Sequence, residues 1–237
     1  VFSRAAVWCA ALSSLVVSGV VSAQPARGTQ PNTLTHPLAP ASTCRTCHSG
    51  LTTASGESYA AHDTWAPSML ANAARDPLFL ATVTVAEQDA PGIGQRCFRC
   101  HSPTAFTNGH AATGMLDRTT GDLDGVHCDT CHRAVPAPDG MPGRNGELYF
   151  NDGAEGMAPP RLGPRNDAAP NMRHTSAQSD FLRSSELCGT CHELDHPTRN
   201  RVSLTGEDMG YRLPLQTTYS EWLGSDYARG ATAQTCQ

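Results

Sequence analysis

Lysine is absent: all 17 basic residues are arginine, scattered among 22 acidic residues for a formal net charge of -5. A chain so balanced offers no basic face, and no nucleic-acid partner is expected. Aromatic residues are scarce too, at 6% within a hydrophobic fraction of 39%. That is a thin supply of core for 237 residues, a length that suits one large or two small domains. Past the first 21 residues no stretch is apolar enough to span a bilayer, so no membrane span is expected once the N-terminal segment is removed.

That one apolar run, Ala5 to Val21, follows Arg4 and ends in the small-residue sequence Val21-Ser22-Ala23. It reads as a cleavable secretory signal over residues 1–23, too short and too broken by Ser13, Ser14, Ser18 and Gly19 for an anchor. Cys9 leaves with it, and a periplasmic or extracellular location follows. Residues 24–43, rich in Pro and Thr, read as an extended arm or linker, with ordered structure expected from about Ser42 and a single domain over 44–237.

What the chain has in quantity is Gly (21), Pro (17), Cys (10) and His (10). The expectation is a mainly α fold with much coil and little β, in which short helices and long loops wrap around prosthetic groups. Helices are predicted over about 65–74, from the Asp76-Pro77 start, over 179–191, and from the capping pattern Thr218-Tyr-Ser-Glu221 to near Gly230. The segment Leu78 to Val85 also alternates like a strand, and periodicity alone leaves both readings open, with helix favoured by the cap. Residues 134–172 read as a long loop with a short hairpin around 147–150.

The chemistry is concentrated in four copies of CxxCH: Cys44-Arg-Thr-Cys47-His48, Cys97-Phe-Arg-Cys100-His101, Cys128-Asp-Thr-Cys131-His132 and Cys188-Gly-Thr-Cys191-His192. We call them motifs I to IV. Two thiols a helical turn apart reach the two vinyl groups of one porphyrin, and the next residue aims its imidazole at the iron. Zinc knuckles also use CxxC, but in pairs about 15–20 residues apart and without a His after each pair. Here the motifs start 53, 31 and 60 residues apart. With 10 His in the chain, His would follow all four pairs by chance about three times in a million. Four covalently attached haems c are therefore expected, bound through Cys44, Cys47, Cys97, Cys100, Cys128, Cys131, Cys188 and Cys191, with His48, His101, His132 and His192 as proximal ligands. Attachment of such haems outside the cytoplasm agrees with the export signal.

Six His remain as possible sixth ligands: His36, His62, His110, His127, His174 and His196. His174 stands before the helix of motif IV, His62 before a helix, and His36 in the arm, and these three are the leading candidates. Met69 is a sulfur alternative. Cys236 is the one mature Cys outside the motifs, and the ending Thr235-Cys236-Gln237 predicts that a fifth CxxCH begins there and that the chain continues.

Five segments carry a resemblance: WAPSMLANAARDPLF (65–79), CFRCHSPTAF (97–106), DGVHCDTCHR (124–133), SSELCGTCHEL (184–194) and TYSEWLGSDYA (218–228) leading to TCQ. They resemble the secreted bacterial multihaem cytochromes c related to the tetrahaem domain that accepts electrons in nitrogen-oxidising bacteria. The resemblance implies closely packed haems, electron transfer with redox partner proteins such as other cytochromes, and a ligand role for a His placed as His174 is. His62, His110 and His127 stand where such relatives often carry other residues. A competing function is a multihaem oxidoreductase acting on a small nitrogen or sulfur compound at one open, His-ligated haem. Its Lys-ligated CxxCK design is excluded within these residues, because no Lys is present.

Overall fold

The computed structural model describes residues 26–167 and 173–237, so the export signal expected over 1–23 lies outside the described residues. In chain order the elements are α1 (Ala41–His48), α2 (Ala61–Trp65), α3 (Met69–Asn72), α4 (Pro77–Asp89), α5 (Gly94–His101), α6 (Pro103–Thr107), α7 (Cys128–His132), β1 (Ala134–Val135), β2 (Tyr149–Phe150), β3 (Arg161–Gly163), β4 (Ser176–Gln178), α8 (Ser185–His192), β5 (Leu194–Val202), β6 (Asp208–Gln216) and α9 (Thr218–Gly224). Short 3-10 turns lie at His110–Ala112, Arg118–Thr120, Asp180–Arg183 and Asp226–Ala228. Among the described helices only α4 exceeds eight residues, at 13. The fold is mainly helical, in short pieces joined by coil, with three two-stranded sheets among the described residues.

Local chemistry sets where the helices begin. The Asp76 carboxylate accepts the Leu78 N–H, and Pro77 occupies the first turn of α4, where its missing N–H costs nothing. This decides Leu78–Val85 in favour of helix. Ser102 caps α6 through the Ala105 N–H, with Pro103 behind it. Elsewhere the expected helices are broken. The helix predicted over 65–74 is split into α2 and α3, because Pro67 supplies no N–H and Ser68, extended at ψ 159, restarts the chain by accepting from Ala71. The helix predicted over 179–191 is likewise two pieces, since Ser184 is extended and caps α8 alone. The capping box at Thr218 does not form: Thr217 is the N-cap, its hydroxyl donates to Glu221, and α9 stops at Gly224 rather than near Gly230.

The β structure also differs from expectation. Tyr149–Phe150 pairs antiparallel with Ala134–Val135 rather than closing a hairpin of its own. Strand β3 pairs with β4 in parallel, and the longest sheet is the β5–β6 hairpin, with irregular register.

The apolar core is small and divided. One cluster joins Phe79, Phe98, Ala105, Phe106 and Ala111, and a second joins Leu38, Leu148 and Phe150. Half of the buried apolar residues are Ala, whereas Met69, Met115, Met141, Met157 and Met209, together with Leu70, Leu78 and Val85, are exposed. Ordered structure begins well before Ser42. Leu38 is 2% exposed in the second cluster, and Arg27 bridges Asp139 and Glu147, so the arm is strapped across the body.

Candidate haem-attachment sites

All four CxxCH motifs adopt one local geometry: each occupies the end of a short helix, and His48, His101, His132 and His192 are the last residues of α1, α5, α7 and α8. Residues i, i+3 and i+4 share a helix face, so each motif turns two thiols and one imidazole to the same side. The fold thus sets out, four times, the donor set that a covalent haem uses.

Three of the imidazoles are held from behind. The His132 Nδ1 donates to the Leu162 carbonyl at 2.6 Å, which uses β3 to fix the ring. His101 is stacked on Phe79, with centroids 4.0 Å apart and planes 5° from parallel, and its Nδ1 meets the Ala73 carbonyl at 3.3 Å. Burial lowers the His101 pKa and favours the neutral ring an iron needs. The Gln216 side-chain N–H donates to His192 Nδ1 at 3.0 Å, so this contact fixes the ring but, unlike the other two, places the proton on Nε2. An Nδ1–H that donates leaves the Nε2 lone pair free for a metal, which is how such outer partners orient a ligand.

The motifs meet in a fixed order. Cys44 of motif I faces Cys128 of motif III, and hydrogen bonding between them lowers the first thiol and raises the second. Cys100 of motif II faces Cys191 of motif IV in the same way, lowering Cys100 and raising Cys191. Cys131 lies close enough to Cys188 and Cys191 to act on both electrostatically, which joins motif III to motif IV. The sequence of neighbours is I, III, IV, II. Burial raises the Cys97 and Cys131 thiols, and burial together with Cys236 pushes Cys188 up to about 11. None of the nine described cysteines is in a disulfide. Cys236 is exposed, with its N–H on the Ser185 hydroxyl and its thiol beside Cys188.

Hydrogen bonding sorts the six remaining His, which spacing could not do. The Nδ1 of His127 accepts from the Asp129 N–H, which puts the proton on Nε2, and that nitrogen is 2.6 Å from the Thr104 hydroxyl in a buried site. Both nitrogens are engaged, and His127 is a cap for α7. His196 Nδ1 accepts from the Thr198 and Arg199 N–H groups, so its Nε2 carries the proton and has no lone pair to give. His36 is the reverse: Nδ1 donates to the Asp152 carbonyl at 2.9 Å and Nε2 is left as a base. His62 packs edge-on against Trp65 and carries a buried Nδ1 with no hydrogen-bond partner among the described residues. His174 sits just before β4, whose partner β3 holds His132. His110 has its Nδ1 on Asp122. Met69 is 84% exposed.

Two glycines let the backbone close on these sites. Gly125, at φ +66°, precedes motif III, and a Cβ there would strike the Leu70 carbonyl, to which the Val126 N–H bonds at 2.9 Å. Gly189, inside motif IV, has the Tyr219 ring where its Cβ would be, 2.6 Å from the nearest ring carbon. Tyr219 in turn stacks on Trp222, so α9 is laid against the attachment helix. Gly189→Ala should therefore detach α9 and lower stability by about 1–3 kcal/mol, read as a shift in the denaturation midpoint. An unchanged midpoint would mean that Tyr219 does not hold motif IV.

The structure fits the prosthetic group these motifs imply. A chain with two small clusters, Ala-rich burial and exposed Met and Leu builds little core of its own, and four large apolar macrocycles would supply it. The comparisons agree. Residues 43–133, spanning motifs I to III, match the family model described as cytochrome c554 and c-prime. No curated protein sequence matches the chain. The fold is similar to the crystal structure of a penta-haem cytochrome c552 from Thermochromatium tepidum, at 18% identity and a TM-score of 0.50. That match covers 85% of this chain and 54% of the other, so the chain spans about half the length of the solved protein. Over residues 43–133, which hold three of its four CxxCH motifs, the chain is similar to the cytochrome c554 and c-prime family.

Proposed function

We propose that this protein is an exported electron conduit that carries four haems c in the order I, III, IV, II and passes single electrons along them. The observation that carries this reading is the order of the motifs: the thiols of I and III and those of IV and II are hydrogen-bonded, and Cys131 of III is near enough to Cys188 and Cys191 of IV to act on them electrostatically. Attachment points that close put neighbouring macrocycles within short reach. Each bound haem supplies one Fe(III)/Fe(II) couple, and the protein's levers on it are ligand identity, burial and nearby charge. Motifs I and II, at the two ends of the order, are where electrons enter and leave. Redox partner proteins, other cytochromes among them, dock there.

Most of the irons are six-coordinate in this reading. His36 and His62 support it by their ring nitrogens, and His174 by its place beside the sheet that fixes His132. His174→Ala should convert one haem from low to high spin in the ferric EPR spectrum while four haems remain attached. A spectrum identical to that of the parent protein removes His174 from the ligand set. Among the described residues no helix is long and apolar enough to cross a membrane.

The function is tested by stopped-flow reduction with a one-electron donor, followed at the haem bands. A conduit reduces all four haems and reoxidises on mixing with an oxidised c-type cytochrome, and its reduced form binds little carbon monoxide. Stoichiometric carbon monoxide binding at one haem would point instead to an open, catalytic site.

A further inference from the structure

We propose that His110 is an iron-ligating histidine, held by Asp122, which caps a haem at the cleft between the N-terminal arm and the 107–124 segment. The inference rests on the haem reading above and adds a ligand and its positioning residue. His110 Nδ1 lies 2.6 Å from Asp122 Oδ2, and Asp122 is fully buried. That carboxylate is anchored on its own account: Oδ2 also accepts the Asp117 N–H at 2.8 Å, and Oδ1 accepts the Thr120 hydroxyl at 3.0 Å. Its backbone carbonyl takes the Ser102 hydroxyl at 2.6 Å. A carboxylate only accepts, so the ring proton of a neutral His110 sits on Nδ1, and Nε2 presents its lone pair. Nε2 has no hydrogen-bond partner among the described residues. This is the carboxylate–histidine arrangement by which proteins orient a metal ligand and make it more basic.

The surroundings suit an apolar macrocycle. The imidazole, one third exposed, opens on a cleft of about 530 Å³ walled by Leu34, Pro37, Leu38 and Pro40. Those residues lead directly into α1 and motif I, and the Asp124 carboxylate ties the Ala41 N–H at the start of that helix to the same segment. From the other side, Ala111, next to His110, packs with Phe98, which lies between the two cysteines of motif II. His110 is thus held between two attachment motifs. His110 is buttressed by a buried carboxylate, while His127 and His196 use their Nδ1 lone pairs to accept backbone N–H groups.

The test compares the ferric EPR and visible spectra of the holoprotein with those of His110→Ala, Asp122→Asn and His196→Ala, each with its haem count by pyridine haemochrome. His110→Ala should keep four haems and convert one low-spin iron to high spin, and added imidazole should restore the low-spin signal. Asp122→Asn should stay low spin but raise the midpoint potential of that one haem, because the imidazole becomes a weaker donor. His196→Ala should match the parent. A fully low-spin His110→Ala protein with four haems overturns the assignment and leaves the multihaem reading intact. Protein lacking haem altogether overturns the multihaem reading instead. If His110→Ala does not fold, an unchanged set of potentials in Asp122→Asn overturns the proposal on its own.

Discussion

Replacing Cys128 and Cys131 together by Ala should yield a three-haem protein that proteases digest at least tenfold faster than the parent. Motif III is the middle of the structure: Cys128 faces motif I, Cys131 acts on motif IV, and β3 packs behind His132. The two apolar clusters are too small to hold the chain alone, so a lost macrocycle is a lost piece of core. Removing about 2 kcal/mol multiplies the unfolded population roughly thirtyfold, and a full haem contact surface exceeds that. The same change cuts the proposed conduit between I and IV, so electrons delivered at motif I should no longer reach motif II. A three-haem protein with parental protease resistance would show that the polypeptide, rather than the haem, supplies the core.

Arg133→Met should be destabilising by about 2–3 kcal/mol, although it touches no Cys. Arg133 follows the last ligand of motif III and is fully buried. Its guanidinium donates to the carbonyls of Asn151, His36 and Pro37 and pairs with Asp152. Burial pushes the Asp152 carboxyl up, but the backbone N–H groups of His36 and Thr35 and the charge of Arg133 outweigh it, leaving it below its usual value. Deleting the cation removes the donors of three part-buried carbonyls and the partner of Asp152, and frees the arm that carries His36. Arg165→Met is the control. Its ion pair with Asp167 is largely exposed, and its loss should cost under about 1 kcal/mol. Equal midpoints for the two variants in chemical denaturation would contradict the importance given to the Arg133 network.

The shared helical geometry of the CxxCH motifs was legible in the sequence because it is local: five consecutive residues on one helical turn bring two thiols and one imidazole to one side. The start of α4 was legible for the same reason, since Asp76 and Pro77 act within one turn. The breaks at Pro67 and Ser184 were hidden by apolar periodicity that runs through both. The β5–β6 hairpin was hidden by Pro197 and Pro214, which argue against a strand. The structure accommodates them in a ladder whose register shifts between Leu194 and Asp195 and again before Asn200. The turn at Ser203–Glu207, with Gly206 at φ +86°, was the signal available for it. The buttressing of His110 and His36 was not legible. For His110 and His36, that Nδ1 donates depends on Asp122 and Asp152, which lie 12 and 116 residues from the rings they touch.

A redox titration of the purified, exported protein followed by EPR and pyridine haemochrome tests the central claim most directly. The account predicts four covalently bound haems, ferric signals dominated by low-spin iron, and a spread of midpoint potentials through which all four irons reduce reversibly. A colourless protein whose eight motif cysteines all react with a thiol reagent would contradict it.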